Sequence, residues 1–165
     1  MIFLIKLVRV DERLVHGQVA VSWTKFLGVN RIIVADDEAS ENETQKIAMN
    51  MAVPEGTKLS VVPVEKAVSL LNDPRAAKLS IFVVVRNPEN ALTLINNVKD
   101  IPKINFGNYG RMSEGDSSDK IKLEANLYVT DAELETIKEI IGTNVPTKYQ
   151  TVPSEKEFDL KSMIK

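Results

Sequence analysis

One segment of the 165-residue chain gathers most of its candidate chemistry: RVDERLVHGQV, Arg9 to Val19, which contains the only histidine. An imidazole with two arginines upstream suits attack of a ring nitrogen on phosphorus. Phosphoryl transfer asks for in-line placement and for stabilisation of charge spread over three oxygens. Arg9 and Arg13 carry permanent planar cations that fork onto phosphate oxygens. Gly17-Gln18 opens a helical pattern whose free N–H groups and positive dipole end favour an anion. That positive end also disfavours a second positive charge beside it, which keeps the His16 ring neutral and nucleophilic. Asp11 is placed either to orient the imidazole through one ring nitrogen or to hold Arg13. None of these parts needs a metal. On chemistry alone a plainer alternative stays open, a surface or capping histidine with solvated arginines beside it.

Other candidates carry less. VADDEAS (Val34–Ser40) is similar to the acidic pair of a response-regulator receiver, but it follows the second strand rather than the first. It reads as an acidic turn leading into a capped helix, with a metal site as a minor option. NFGNYGRM (Asn105–Met112) puts Gly107 and Gly110 just after a strand, where backbone N–H groups either approach a phosphate or simply turn the chain. Asn105, Gly107, Asn108 and Gly110 are therefore a candidate wall of the site. No GxGxxG follows a strand and no GxxxxGK[ST] loop is present, so the usual nucleotide sites are unsupported. Trp23 and the Met49/Met51 pair lie on helix faces and read as core.

These residues need a scaffold, and the pattern supplies one. Apolar, β-branched runs at Ile2–Val10, Arg31–Ala35, Lys58–Val62, Leu79–Val85 and Lys103–Phe106 read as buried strands, with weaker ones at Ala125–Val129 and Lys148–Val152. Helix starts are marked by capping-box spacing at Ser40/Glu43, Thr130/Glu133 and Ser154/Glu157, and by Asn87-Pro88. Gly28 and Gly142 sit where helices should stop. The first helix, about Gln18 to Leu27, would put Val19, Trp23, Phe26 and Leu27 on one face, and Ser154–Lys165 reads as a C-terminal helix. Strand–helix alternation with such continuous strands predicts an α/β domain: a mainly parallel sheet with helices on both faces. In such sheets ligands bind outside the carboxyl ends of the strands, where Asp11–His16 falls. The irregular stretch Gly107–Lys120 is long enough to be a working loop.

Composition narrows the classes. At 165 residues the chain suits one well-buried core, so residues 1–165 are expected to form a single domain. With 21 basic and 23 acidic residues it lacks the excess of a general nucleic-acid binder. There is no cysteine, hence no disulfide and no thiolate metal site. The apolar start MIFLIKLVRV lacks a basic n-region and a cleavage site, and no run of about 20 apolar residues occurs. The expectation is a cytoplasmic protein that meets a membrane only through a partner.

With these residues in view, the chain resembles the IIB subunits of the mannose/fructose/sorbose family of the bacterial phosphoenolpyruvate-dependent sugar phosphotransferase system. The family pattern Arg-[Ile/Val]-Asp-x-Arg-[Leu/Ile]-[Ile/Val]-His-Gly-Gln-Val is matched at Arg9, Asp11, Arg13, His16, Gly17, Gln18 and Val19. The likeness continues through VADD, NFGN and TDAELETIKEIIGTNVPTKYQTVP. Some members are fused to a IIA domain; this chain is expected to be a free-standing IIB. The resemblance implies that His16 accepts a phosphoryl group on Nδ1 from a phosphohistidine of IIA and passes it to a sugar bound by membrane IIC/IID subunits. It carries Arg13 over as the phosphate-contacting arginine, Asp11 as a supporting residue, and Gly17 and Gln18 as phosphate-binding backbone. Arg9 is carried over as a further phosphate-binding residue, with facing the sheet as its alternative orientation. No cofactor and no metal are implied. HGQVAVSWTK and NFGN are more similar to the N-acetylgalactosamine-type branch than to the mannose or sorbose branches, so the resemblance implies a hexose or N-acetylhexosamine, with N-acetylgalactosamine as a candidate. A homo-oligomer is a further expectation, and Trp23 and the Gly107–Lys120 loop are candidate docking elements. Two other classes stay in view: a stand-alone sugar-phosphate enzyme using His16 as general base, and a non-catalytic phosphosugar-binding domain.

Overall fold

The computed structural model describes residues 4–111 and 119–164. Seven strands form one sheet: β1 (Ile5–Asp11), β2 (Arg31–Ala35), β3 (Lys58–Val62), β4 (Ile81–Val85), β5 (Ile104–Asn108), β8 (Thr147–Tyr149) and β9 (Phe158–Asp159). Their order is β3-β2-β4-β1-β5-β8-β9, parallel throughout except for β9, which runs antiparallel to β8. A separate antiparallel hairpin, β6 (Ile121–Glu124) with β7 (Leu127–Val129), joins the end of β5 through a bridge between Tyr109 and Leu127.

Strand alternation divides the core in two. Leu7, Ile32, Val34, Phe82 and Val84 point to the face covered by α1 (Gly17–Leu27) and α3 (Glu43–Ala52). Their neighbours Val8, Val10, Ile33, Val83 and Val85 point to the other face, under α4 (Val64–Leu71), α5 (Pro88–Asn97) and α6 (Asp131–Gly142). Strands buried on both faces are why the sequence shows continuous apolar runs rather than alternation. Two four-residue helices, α2 (Asp37–Ser40) and α7 (Leu160–Met163), complete the set, with a 3₁₀ turn at Pro74–Lys78.

The topology creates one crevice. The chain leaves β1 towards β2 on one side and leaves β5 towards β8 on the other, although β1 and β5 are neighbours. Adjacent strands whose connections diverge leave a gap at their carboxyl ends, the switch point where open α/β sheets bind ligands.

Several expectations hold and others fail for local reasons. Thr130 and Glu133 form the full capping box, Asn87 caps α5 ahead of Pro88, and Gly28 ends α1 in the left-handed conformation at φ +67°. Ser40 does not begin a helix with Glu43; it closes α2, and Asn42 caps α3 by accepting from the Gln45 N–H at 3.0 Å. Ser154/Glu157 forms no cap, and Ser154–Lys165 is not one helix. Residues 151–157 turn, Phe158 and Asp159 pair with Tyr149 and Lys148, and Asp159 then caps α7. Gly142 is still helical, and the stop falls at Thr143, with Asn144 taking the positive φ of 69°. On α1 the buried residues are Ala20, Trp23 and Thr24, whereas Phe26 is 66% exposed. On α3 Met49 is core but Met51 is 83% exposed, so the pair splits. Ile2, Phe3, Met112, Ser113 to Ser118 and Lys165 lie outside the described residues, and with them part of the Gly107–Lys120 loop.

Candidate functional site

The loop after β1 is built to hold a histidine at a helix start. Leu14 donates its N–H to the Asp11 carbonyl at 2.9 Å, closing a turn, and adopts φ +59°. The left-handed region costs a residue with a Cβ about 1–2 kcal/mol. Leu14 and Val15 offset this by burying their side chains against the α1 face of the core, at 6% and 5% exposure. His16 follows in extended conformation as the N-cap of α1, and Gly17 takes φ +44°. The His16 side chain does not cap the helix, so the first-turn N–H groups receive no cap from it. They form the anion-favouring end that the sequence predicts.

Asp11 answers the question its spacing leaves open by serving both neighbours. Its Oδ2 lies 3.3 Å from His16 Nε2, and its Oδ1 accepts the Arg13 backbone N–H at 3.0 Å, with Arg13 Nε at 3.7 Å. The ring nitrogen facing a carboxylate carries the proton, so the neutral tautomer leaves its lone pair on Nδ1. Burial pushes the Asp11 carboxyl up, but the His16 hydrogen bond, the Arg9 charge and the Arg13 N–H together outweigh it and hold it below its ordinary value. A carboxyl depressed in the fold contributes stability above its unfolded pKa, about 4, and loses it as pH falls through the folded value. Urea unfolding midpoints should therefore drop on acidification below about pH 4, and Asp11→Asn should flatten that drop. An identical acid profile in the two proteins would remove Asp11 as a contributor.

Arg9 points to the α1 face and is 2% exposed. Its Nη1 donates to Asn105 Oδ1 at 2.5 Å and to the Gln150 carbonyl at 2.9 Å, and its Nη2 to the Thr151 carbonyl at 2.8 Å and Asp11 Oδ2 at 3.4 Å. The guanidinium lies 5.0 Å over the Trp23 ring, whose Nε1 also reaches the Thr151 carbonyl. Burial pulls its pKa down to about 10, with Asp11 pulling the other way, so it stays charged at neutral pH. Trp23, at 2% exposure, is a lid on this cation and not a docking residue.

The candidate wall separates into different roles. Asn105 is fully buried and accepts from Arg9, while its Nδ2 has no hydrogen-bond partner among the described residues. Gly107 is glycine for room: a Cβ there would overlap the Arg9 guanidinium. Gly107→Ala should cost about 3 kcal/mol, from overpacking beside a buried cation. In an Arg9→Met background the same substitution should be nearly neutral, which a denaturant-based double-mutant cycle reads directly. Gly110, at φ +91°, abuts the Tyr128 carbonyl and anchors the hairpin. The Asn108 carbonyl accepts from the Glu12 N–H at 2.9 Å, and Glu12 Oε2 accepts from the Arg111 N–H at 3.1 Å, tying the β1 and β5 loops together. Asp36 and Asp37 are committed elsewhere: Asp36 caps α2 and pairs with Arg86 at 3.1 Å, and Asp37 accepts the Val64 N–H.

Two cavities adjoin at Arg13. One, of about 330 Å³, is lined by His16, Arg13, Gln45, Met49 and Arg86. The other, of about 280 Å³, is lined by Arg9, Arg13, Asn108, Arg111, Asn126 and Thr151. Arg86, Arg111, Asn126 and Thr151 are absent from the sequence-based candidates. Arg86 was findable, since it directly follows a buried strand at the sheet's carboxyl edge.

Residues 5–165 match the family described as the sorbose-subfamily IIB component of the PTS system. A Streptococcus pyogenes serotype M6 protein named a probable phosphotransferase enzyme IIB component is 38% identical over 158 residues, 95% of this chain and 97% of its own. The mannose-specific EIIAB component of Escherichia coli K12 is 31% identical over 163 residues, 97% of this chain and 49% of its own. The crystal structure of the IIBSor domain of the Klebsiella pneumoniae sorbose permease superposes with a TM-score of 0.88 at 27% identity, covering 97% of this chain and 95% of that one.

Proposed function

Since the chain belongs to the sorbose-subfamily IIB components of the sugar phosphotransferase system, and so carries out a phosphotransfer step in sugar uptake, we propose that His16 is its phosphoryl carrier. One observation supports this most directly: the Nε2–Asp11 contact leaves Nδ1 as the nucleophile, at an uncapped helix start beside Arg13. The Nδ1 lone pair attacks phosphorus as the bond to the donor breaks. The ring gains a P–N bond and a positive charge, which Asp11 offsets from 3.3 Å. A sugar hydroxyl then attacks the same phosphorus and gives up its proton to solvent or a base beside the sugar. The P–N bond breaks, its electron pair returns to Nδ1, and the ring becomes neutral again. Gly17 and Gln18 N–H groups and the Arg13 guanidinium hold the charge on the transferring oxygens. Arg9 acts from behind, fixing Asp11 rather than touching phosphate.

The donor in this reading is a phosphohistidine of a IIA protein or domain, as the name of the EIIAB relative, which joins the two components, suggests. The acceptor is a hexose or N-acetylhexosamine presented by IIC/IID subunits. Sorbose and mannose both occur among the names of relatives, which fits a sugar choice made outside this chain. No described helix is long and apolar enough to cross a membrane, and we place the protein, acting as one IIB domain over residues 1–165, at the cytoplasmic side of that permease.

Reconstitution with phosphoenolpyruvate, the general phosphotransferase proteins and a cognate IIA should charge the wild type with one acid-labile, alkali-stable phosphate per chain. A protein that stays unlabelled while IIA is charged would defeat the carrier reading. Arg13→Ala should slow charging by about 10²–10³-fold, the usual cost of removing one transition-state donor. Its side chain is 42% exposed, so the fold should survive. Wild-type rates in this variant would take Arg13 out of the site.

A further inference from the structure

The smaller of the two cavities sits in the crevice between the ends of β1 and β5, and the steps above do not use it. Its volume of about 280 Å³ lies at the small end of ligand sites. Three guanidinium groups line it, and each is under-neutralised. Arg9 presents a cation from within the fold, with its nearest carboxylate oxygen, on Asp11, 3.4 Å away and shared with His16. Arg13 is paired loosely to the same carboxylate at 3.7 Å. Arg111 donates Nη1 to Asn126 Oδ1 at 3.2 Å and, among the described residues, forms no ion pair. Its backbone N–H is pinned by Glu12, so the side chain projects from a fixed base. The remaining lining includes the apolar side chains of Val19 and Val152 and the neutral amides of Asn108 and Asn126, with Gly107 bare against the Arg9 guanidinium.

Three guanidinium groups, two apolar side chains and two neutral amides match one chemical class. We propose that this cavity binds a sugar phosphate monoester, with the phosphate between Arg13 and Arg111, the ring against Val19 and Val152, and hydroxyls on Asn108 and Asn126. Arg13 lines both cavities. An ester seated here therefore occupies the arginine that a phosphoryl group on His16 needs, and the product of transfer slows further charging of the carrier. This consequence rests on the carrier reading above; the binding site does not.

The test uses the full-length protein, with a hexose 6-phosphate, inorganic phosphate and the free hexose as probes. Binding is measured by calorimetry, and charging of His16 from phosphorylated IIA is followed with and without ester, each variant referenced to its own ester-free rate. The ester should bind the wild type more tightly than inorganic phosphate does, the free hexose should not bind, and the ester should slow charging. Arg111→Gln should weaken ester binding about tenfold, the scale of a lost charge-assisted hydrogen bond, and should relieve the inhibition to match. Asn126→Asp, which sets a carboxylate beside Arg111, should weaken it at least as much. Both positions lie outside the core, so folded protein is expected for each. Equal ester affinity in wild type and both variants would overturn the proposal, and so would absence of ester binding. Inorganic phosphate binding as tightly as the ester would overturn the sugar contact and the proposal with it. Charging of His16 without ester binding sinks this site alone. Arg111-dependent ester binding without charging sinks the carrier reading alone.

Discussion

His16→Ala protein should take up no phosphoryl group and should pass none to sugar, while keeping its fold. The loss is total in kind, because the covalent intermediate has nowhere to form, and at least about 10⁴-fold in rate. The fold should survive because little rests on this ring. Its side chain is 25% exposed, does not cap α1, and among the described residues hydrogen-bonds only to Asp11. Stability should stay within about 1 kcal/mol of the wild type. His16→Gln sharpens the comparison, since an amide can still donate to Asp11 but offers no nucleophilic ring nitrogen. Both variants should remain unlabelled in the reconstituted system with wild-type circular dichroism. Label retained in either variant would mean that another residue carries the phosphate.

Arg9→Met should have the opposite profile, with a large cost in stability and a loss of rate that follows from it. The substitution removes the cation and leaves four groups without it: the Asp11 carboxylate, the Asn105 amide oxygen and the carbonyls of Gln150 and Thr151. Breaking a buried ion pair from one side costs about 3–5 kcal/mol, mostly the penalty of the charge left behind. Adding Asp11→Asn should therefore cost much less in the Arg9→Met background than in the wild type. Chemical denaturation of the four proteins measures this coupling directly. Simple additivity would show that Arg9 and Asp11 act independently, contrary to the 3.4 Å contact. Arg13→Ala supplies the contrast, losing rate without losing stability. Two arginines four residues apart in one motif thus do different work, and the difference is set by which side of the strand end each occupies.

Much of this was legible in the sequence, for identifiable reasons. β2 falls at Arg31–Ala35, as its apolar run predicts, because Ile32 to Ala35 are buried on both faces and leave no polar position to blur the pattern. The edge strand β3 falls at Lys58–Val62 through its β-branched and apolar residues, although only Val62 of it is buried. Local capping patterns were less dependable. Ser154/Glu157 has the right spacing, but pairing of Phe158 with Tyr149 and the burial of Leu160 claim the segment first. Phe26 and Met51 lie on helix faces that run past the sheet, where period alone cannot say what the neighbour is. The site divides in the same way. Arg9, Asp11, Arg13 and His16 share one short loop, so their association needs no topology. Arg111, Asn126 and Thr151 arrive from the ends of other elements, and only the divergence of the connections after β1 and β5 brings them to the same crevice.

The reach of Arg9 has a consequence for when the site can exist. Its hydrogen bonds to the Gln150 and Thr151 carbonyls span 141 and 142 positions of the chain. Contacts of such separation close late, after the loop entropy between them has been met. While a chain is being synthesised, Arg9 emerges long before Gln150 and Thr151 and waits for those acceptors. Until then β1 carries a cation whose burial lacks two of its partners, which disfavours early closure of that end of the sheet. Orientation of His16 through Asp11 is thus tied to arrival of the Gln150–Thr151 segment, and a chain that lacks it holds the ring less firmly.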